Sequence, residues 1–271
     1  PMFGAVIAFK NYTPAKGILG SSWVGFKHFQ DFFGSYYFWR LLKNTLVISV
    51  YSILVNFPAP IILALLINEL HNNKFKRTVQ TITYLPHFIS LVVICGMIRD
   101  FTMDDGLIND IAAMFGGERV SLLSKSSMFV PIYILSDMWQ GIGWGSIVYL
   151  AALTGIDPQL YEAATIDGAN RWRQVWHVSL PGIMPTIVIM LILRMGSMLS
   201  VGFEKIILLY NPAIYETADV ISSFVYRKGI LESNWSYSAA VGLFNSVINF
   251  VCLISACLLY TSPSPRDPKT S

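Results

Sequence analysis

The chain has 271 residues, 54% of them hydrophobic and 13% charged, with a formal net charge of +3 at pH 7. A soluble domain carries about 25% charged residues, so this composition excludes an ordinary water-soluble fold and points to several membrane spans. A charge this small and scattered gives no ground for nucleic acid as a partner.

The predicted elements begin with the apolar stretch PMFGAVIAF, too short to span, which reads as the outer end of a first helix whose beginning is missing. Residues 10 to 40 form a polar and aromatic loop. Its Trp23, Phe26, Phe29, Phe32 and Phe33 suit an aromatic belt at the membrane interface, with a docking surface as the alternative. Leu41 to Leu66 is long enough to cross ~30 Å of hydrocarbon, and Pro58 and Pro60 are expected to kink or locally break it. Lys74, Lys76 and Arg77 crowd the next short loop and suggest its cytoplasmic placement. Val79 to Ile98 is the next span, Arg99 to Ser127 a polar outer loop, and Met128 to Leu153 another span. In the latter, Gly141, Gly143 and Gly145 are expected to allow close helix approach.

Residues 154 to 181 (TGIDPQLYEAATIDGANRWRQVWHVSLP) are too polar to span. Asp157 followed by Pro158 is a helix start, because the carboxylate accepts a backbone N–H and proline has no donor to lose at the first helical position. The helix is expected to stop at Gly168. Asp167 is expected to cap a second helix over Asn170 to Leu180, ended by Pro181. That helix places Trp172, Val175, Trp176 and Ser179 on one side and Asn170, Arg173 and His177 on another. Ile183 to Phe203 then spans back, 204 to 237 is a mixed outer segment, and Ser238 to Tyr260 is the last span. The count is five complete spans and one stub, with both termini cytoplasmic. The ending TSPSPRDPKTS holds three prolines within ten residues, which forbids a helix; residues 261–271 are expected to be a dispensable tail, disordered or foreign to the gene. Cys95, Cys252 and Cys257 all lie in apolar segments, and packing is their expected role.

The string Glu162-Ala163-Ala164, then Asp167-Gly168-Ala169, then eleven residues to Pro181 with Val178 and Leu180 in place, resembles the EAA loop of permease subunits of binding-protein-dependent ABC importers. Val175 stands where the usual pattern has Phe. The words WVGFKHFQDFF, NFPAPIILALLINEL, YLPHFIS, WGSIVYLAAL and LYNPAIYETADVI are similar to the maltose-transporter branch that carries oligosaccharides and polysaccharides. The likeness runs from about Phe3 to Ser255. It implies an all-α, polytopic helix bundle of about six transmembrane helices, the first truncated here. Residues 1–260 would be the transmembrane permease domain, in a bacterial inner membrane. It further implies a cytoplasmic ABC ATPase dimer, a second homologous permease, an extracytoplasmic solute-binding protein and an oligosaccharide as partners, besides the lipid bilayer. The coupling residues would be Glu162, Ala163, Ala164, Asp167, Gly168, Ala169, Leu180 and Pro181, with Glu162 meeting a cation on the ATPase.

No residue set reads as catalytic, no phosphate-binding loop is present, and neither a metal nor a cofactor is expected on this chain. Arg194, in mid-span, must face the bundle interior or a wet cavity, since a charge at that depth costs about 2.5 to 3.5 kcal/mol. Asp137 is its candidate partner. An interhelical ion pair and a sugar pathway are both open readings. Asp137, Gln140 and Trp144 recur at i, i+3 and i+7, offering a carboxylate, an amide and an indole to a sugar, or else polar contacts beside an interfacial tryptophan. A secondary transporter or channel independent of an ATPase is the rival; it would carry paired carboxylates inside its spans.

Overall fold

The computed structural model describes residues 2–261. The expected tail therefore lies, beyond residue 261, outside the described residues. The fold is helical apart from one short antiparallel pair, Lys10–Asn11 with Ser22–Trp23, in which Lys10 faces Trp23. The opening stretch, Met2–Phe9, is a 3-10 helix laid against the helix Trp235–Thr261.

The aromatic loop divides in two. Trp23, Phe26 and Phe29 gather around Phe9 at centroid distances of 5.4 to 5.7 Å, and Trp23 and Phe26 stay exposed. Phe32 instead is buried among Phe38, Phe224, Tyr237 and Phe244. An interfacial role suits the first group. The second is core.

Among the described residues two straight helices are long and apolar enough to cross a membrane, Phe38–Asn68 and Trp235–Leu258, and up to four spans result if each of two bent pairs counts as one. The prolines Pro58 and Pro60 interrupt the first only locally, at Phe57, because proline in the first turn forfeits a donor that has no partner there. The expected span over Val79 to Ile98 is such a bent pair: Asn73–Phe88 and Leu91–Met114 meet at 96°, around Pro86 and the extended Ile89. The expected span over Ile183 to Phe203 also differs. Its helix, Met184–Met195, joins the preceding one at 58° and ends well before Phe203.

The helix Ser126–Thr154 is the axis of the bundle. Its 29 residues rise ~43 Å, enough to cross, yet it is not among the apolar spans, because Asp137, Gln140 and its glycines and serines dilute its hydropathy. It packs along Pro58–Asn68 and against the end of the helix Asn73–Tyr84, at Thr83–Tyr84. Gly143 lies against the backbone there and Gly145 against the Pro60 ring, whereas nothing approaches the Cβ position of Gly141. Two of the three glycines thus serve close approach, and Gly141 lines a cavity.

Residues 204 to 237 are more than a mixed outer segment. They fold as short helices whose Ile206, Leu209, Ile214, Ala218 and Val220 join Ile48, Phe129, Tyr133 and Ile134 in a buried cluster. Asp219 anchors them. Its carboxylate is fully buried, accepts from Arg227 Nη2 at 2.6 Å and from Ser223 Oγ at 2.8 Å, and lies 3.5 Å from Arg40 Nη2. Asn44 donates to the Asp219 carbonyl at 3.0 Å. Burial opposes the Arg227 charge, but the Asp219 carboxylate outweighs it and raises the guanidinium above its ordinary value. Removing one partner of a buried pair strands the other. Asp219→Ala is therefore expected to cost about 3 to 5 kcal/mol, read as a large drop in the thermal midpoint of the detergent-purified protein. A midpoint shifted by no more than a degree or so would remove Asp219 as the anchor.

Candidate functional site

The stretch after the central helix folds as two short helices with local causes at each joint. Asp157 accepts from Gln159 N at 2.9 Å and Pro158 opens the helix Pro158–Ile166. The helix closes with Gly168 N to the Thr165 carbonyl and Ala169 N to the Ala164 carbonyl, and Gly168 takes φ +75°. That closing pattern favours glycine. Asp167 is the C-terminal cap position of this helix and does not cap the second. Asn170 does so instead, accepting from Arg173 N at 2.9 Å. Nor does Pro181 end the second helix at Leu180. The turns Arg171–Gln174 pass through a π-helical segment, Val175–Ser179, and continue over Leu180–Gly182. The wide π turn releases the carbonyls that the proline ring would otherwise meet.

The two helices are clamped by Tyr161 and Ser179 hydroxyls 2.9 Å apart and by Gln174 donating to Thr165 and to the Ala169 carbonyl. Glu162 and Ala163 are exposed on the outer side, beside the exposed Leu160 and Ile166, while Ala164 and Ala169 are half-buried at the joint. Among the described residues nothing pairs with Glu162. Leu180 is half-buried and Pro181 exposed. Of the apolar side of the second helix, Val175 and Ser179 are buried. Trp172 and Trp176 remain exposed, bordering an apolar groove of about 710 Å³ with Ile62, Leu65 and Leu66. Arg171 Nη1 lies 3.2 Å from His71 Nδ1, so the basic loop and this pair of short helices share one end of the molecule.

A second feature lies deeper. Two cavities, of about 210 and 260 Å³, are both lined by Asp137 and Arg194. The expected ion pair between those two is not formed. Asp137 accepts from Asn56 Nδ2 at 2.8 Å and lies 3.5 Å from Lys205 Nζ. Arg194 donates to Ser52 Oγ at 2.8 Å. Lys205, 3% exposed, also sits over the Tyr133 ring at 5.3 Å. Gln140 and Trp144 do not line these cavities; the indole stacks on His87 at 4.6 Å and 2°. The helix face that lines them runs through Tyr133 and Asp137 at the smaller cavity and Asp137, Gly141 and Gly145 at the larger, at intervals of four. Lys205 and Asn56 were missed by the sequence reading. A lysine just before an apolar run, and an asparagine just before two prolines, were the available signals.

The chain matches, over residues 56–261, the family model described as the binding-protein-dependent transport system inner membrane component. It is 47% identical, over 94% of its length and 80% of the relative's, to the polygalacturonan/rhamnogalacturonan transport system permease protein YteP of Bacillus subtilis strain 168. It is 45% identical to protein LplB of the same organism, covering 94% and 81% of the two chains. Among solved structures it superimposes at TM-score 0.89 and 45% identity on a chain of a bacterial ABC transporter involved in the import of the acidic polysaccharide alginate, covering 96% of this chain and 87% of that one. A second crystal structure, of the alginate transporter with an alginate pentasaccharide-bound periplasmic protein, matches at TM-score 0.88 with 45% identity, covering 94% and 85% of the two chains.

Proposed function

The chain belongs to the family of binding-protein-dependent transport system inner membrane components, and from that premise we propose that it forms one half of an oligosaccharide path driven by separate ATPase subunits. It is a multi-pass membrane permease subunit, and ATP hydrolysis belongs to another subunit. The proposed assembly pairs it with a second permease in a bacterial plasma membrane, two cytoplasmic ATPases and a solute-binding protein outside. The first helix of the coupling stretch enters the ATPase, with Glu162 as the contact, Ala163 and Ala164 giving close approach and Gly168 making the turn. Residues 71 to 78 and 154 to 181 face the cytoplasm, and 99 to 127 and 204 to 237 the other side. The cavity at Asp137 and Arg194 is part of the sugar path. Residues 1–260 act as one transmembrane domain.

The observation that carries this reading is the folded stretch of residues 154 to 181: a rigidly capped helix presenting a glutamate without a partner among the described residues, and bare apolar side chains, beside a basic loop. Complementary support comes from the carbohydrate names of the relatives. The test is reconstitution of the permease pair with ATPases and binding protein in vesicles. Glycan uptake is expected only with ATP inside and binding protein outside. Uptake that runs on an ion gradient without ATP would return the chain to the secondary transporters.

A further inference from the structure

We propose that the cavity at Arg194 reads a carboxylate on the cargo, so that this permease selects acidic oligosaccharides, those built from uronic acids, over neutral ones. The inference rests on the proposed function and adds the substrate class.

The argument is one of charge balance. Asp137 and Arg194 line the same two cavities, and Lys205 lines a third that shares Asp137 with them. Asp137 and Lys205 lie 3.5 Å apart and compensate each other. Asn56 donates a further hydrogen bond to the same carboxylate. Arg194 has no such compensation. Among the described residues no carboxylate lies within 4.0 Å of it, and its side chain makes a single hydrogen bond, to a neutral serine. A guanidinium has five N–H donors in a planar fork, so most of them are uncommitted, and the residue is exposed.

An unpaired cation at membrane depth is costly and marks an ion or substrate path by default. The fork fits a carboxylate by two parallel hydrogen bonds, stronger and more directional than bonds to neutral groups. The rest of the wall suits a sugar ring. Ser52, Ser197, Ser200 and Tyr133 line the first cavity with hydroxyls. The Asn56 carbonyl oxygen is buried without a hydrogen-bond partner among the described residues and is available to a sugar hydroxyl. Together the two cavities reach the size of a small-ligand site, roughly 300 Å³ and upward. Lys205 has a defined part here. It removes the repulsion that a bare Asp137 would exert on an anionic sugar.

The experiment uses the complete reconstituted importer and paired probes: trisaccharides of galacturonic, mannuronic and guluronic acid, each beside its carboxyl-reduced form. The glycans are supplied at concentrations that saturate the binding protein for both members of a pair. The readout is the ratio of initial uptake rates, acidic over neutral. Wild type is expected to favour at least one acid over its reduced form. Arg194→Gln is expected to lower that ratio by about 10- to 100-fold, the scale of one charge-assisted hydrogen-bonded pair. Arg194→Lys, a point charge without the fork, is expected to fall between them. A wild-type ratio near one overturns the proposal, even should the glutamine variant fail to assemble. So does a glutamine variant whose ratio is unchanged, which makes Arg194 structural. Failure of every glycan, acidic and neutral, to enter with ATP overturns the sugar-importer reading as well.

Discussion

An importer carrying Glu162→Lys is expected to keep its membrane subunits assembled and to lose its ATPases. The carboxylate stands exposed on a helix held rigid by Asp157 at its start and by the closure at Gly168. A hydrogen bond to a charged partner is worth about 1.5 to 3 kcal/mol, so its loss weakens docking by one to two decades. Charge reversal adds repulsion to that loss. Glu162→Gln is expected to do less harm, because the amide keeps one acceptor. Gly168→Leu acts by another route. No atom lies within 4 Å of the Cβ position there, so the cost is backbone strain at φ +75° alone, about 1 to 2 kcal/mol. Gly168→Asn is expected to be milder, since asparagine tolerates that region. Co-purification of the ATPases and glycan-stimulated ATP hydrolysis are the measurements. A Glu162→Lys complex that retains both at wild-type level removes Glu162 from the coupling role.

A large packing effect is expected at Gly143. A Cβ there would meet the Thr83 carbonyl and the Tyr84 backbone far inside van der Waals contact. Backbone cannot swing aside as a side-chain tip can, so even Gly143→Ala must push the end of the helix Asn73–Tyr84 off the central helix. Overpacking of this kind costs about 1 to 3 kcal/mol, and more where backbone is the obstacle. His71, just before the helix from Asn73, meets Arg171, so the displacement reaches the short helices of residues 154 to 181. Gly141→Ala is the control, since its Cβ would meet nothing. Monodispersity and thermal midpoint in detergent should separate the two variants. Equal behaviour would show that the end of the helix Asn73–Tyr84 moves freely.

The features legible in the sequence share a physical scale. Composition alone excluded a soluble fold, because no core can hide so many apolar side chains from water. The start at Asp157-Pro158 and the stop at Gly168 were readable because a cap or a positive φ is decided within a few residues. The second helix shows the limit of that logic. Asp167 was the expected cap, but it closes the first helix, so the cap falls to Asn170, and a π turn carries the helix through Pro181.

By itself, then, the sequence determined the membrane class, the capped helix Pro158–Ile166 and its turn at Gly168, and the presence of charged residues at membrane depth. The tertiary structure alone decided which charges meet. Asp137 found Lys205 and not Arg194, because Phe203–Leu209 folds back into the bundle and brings a lysine that no periodicity announces. It likewise decided that one expected span is bent and another stops short at Met195, and that Asp219 sits between Arg40 and Arg227. Such pairings join segments far apart in the chain. Their energy depends on distance and burial, which local sequence does not encode.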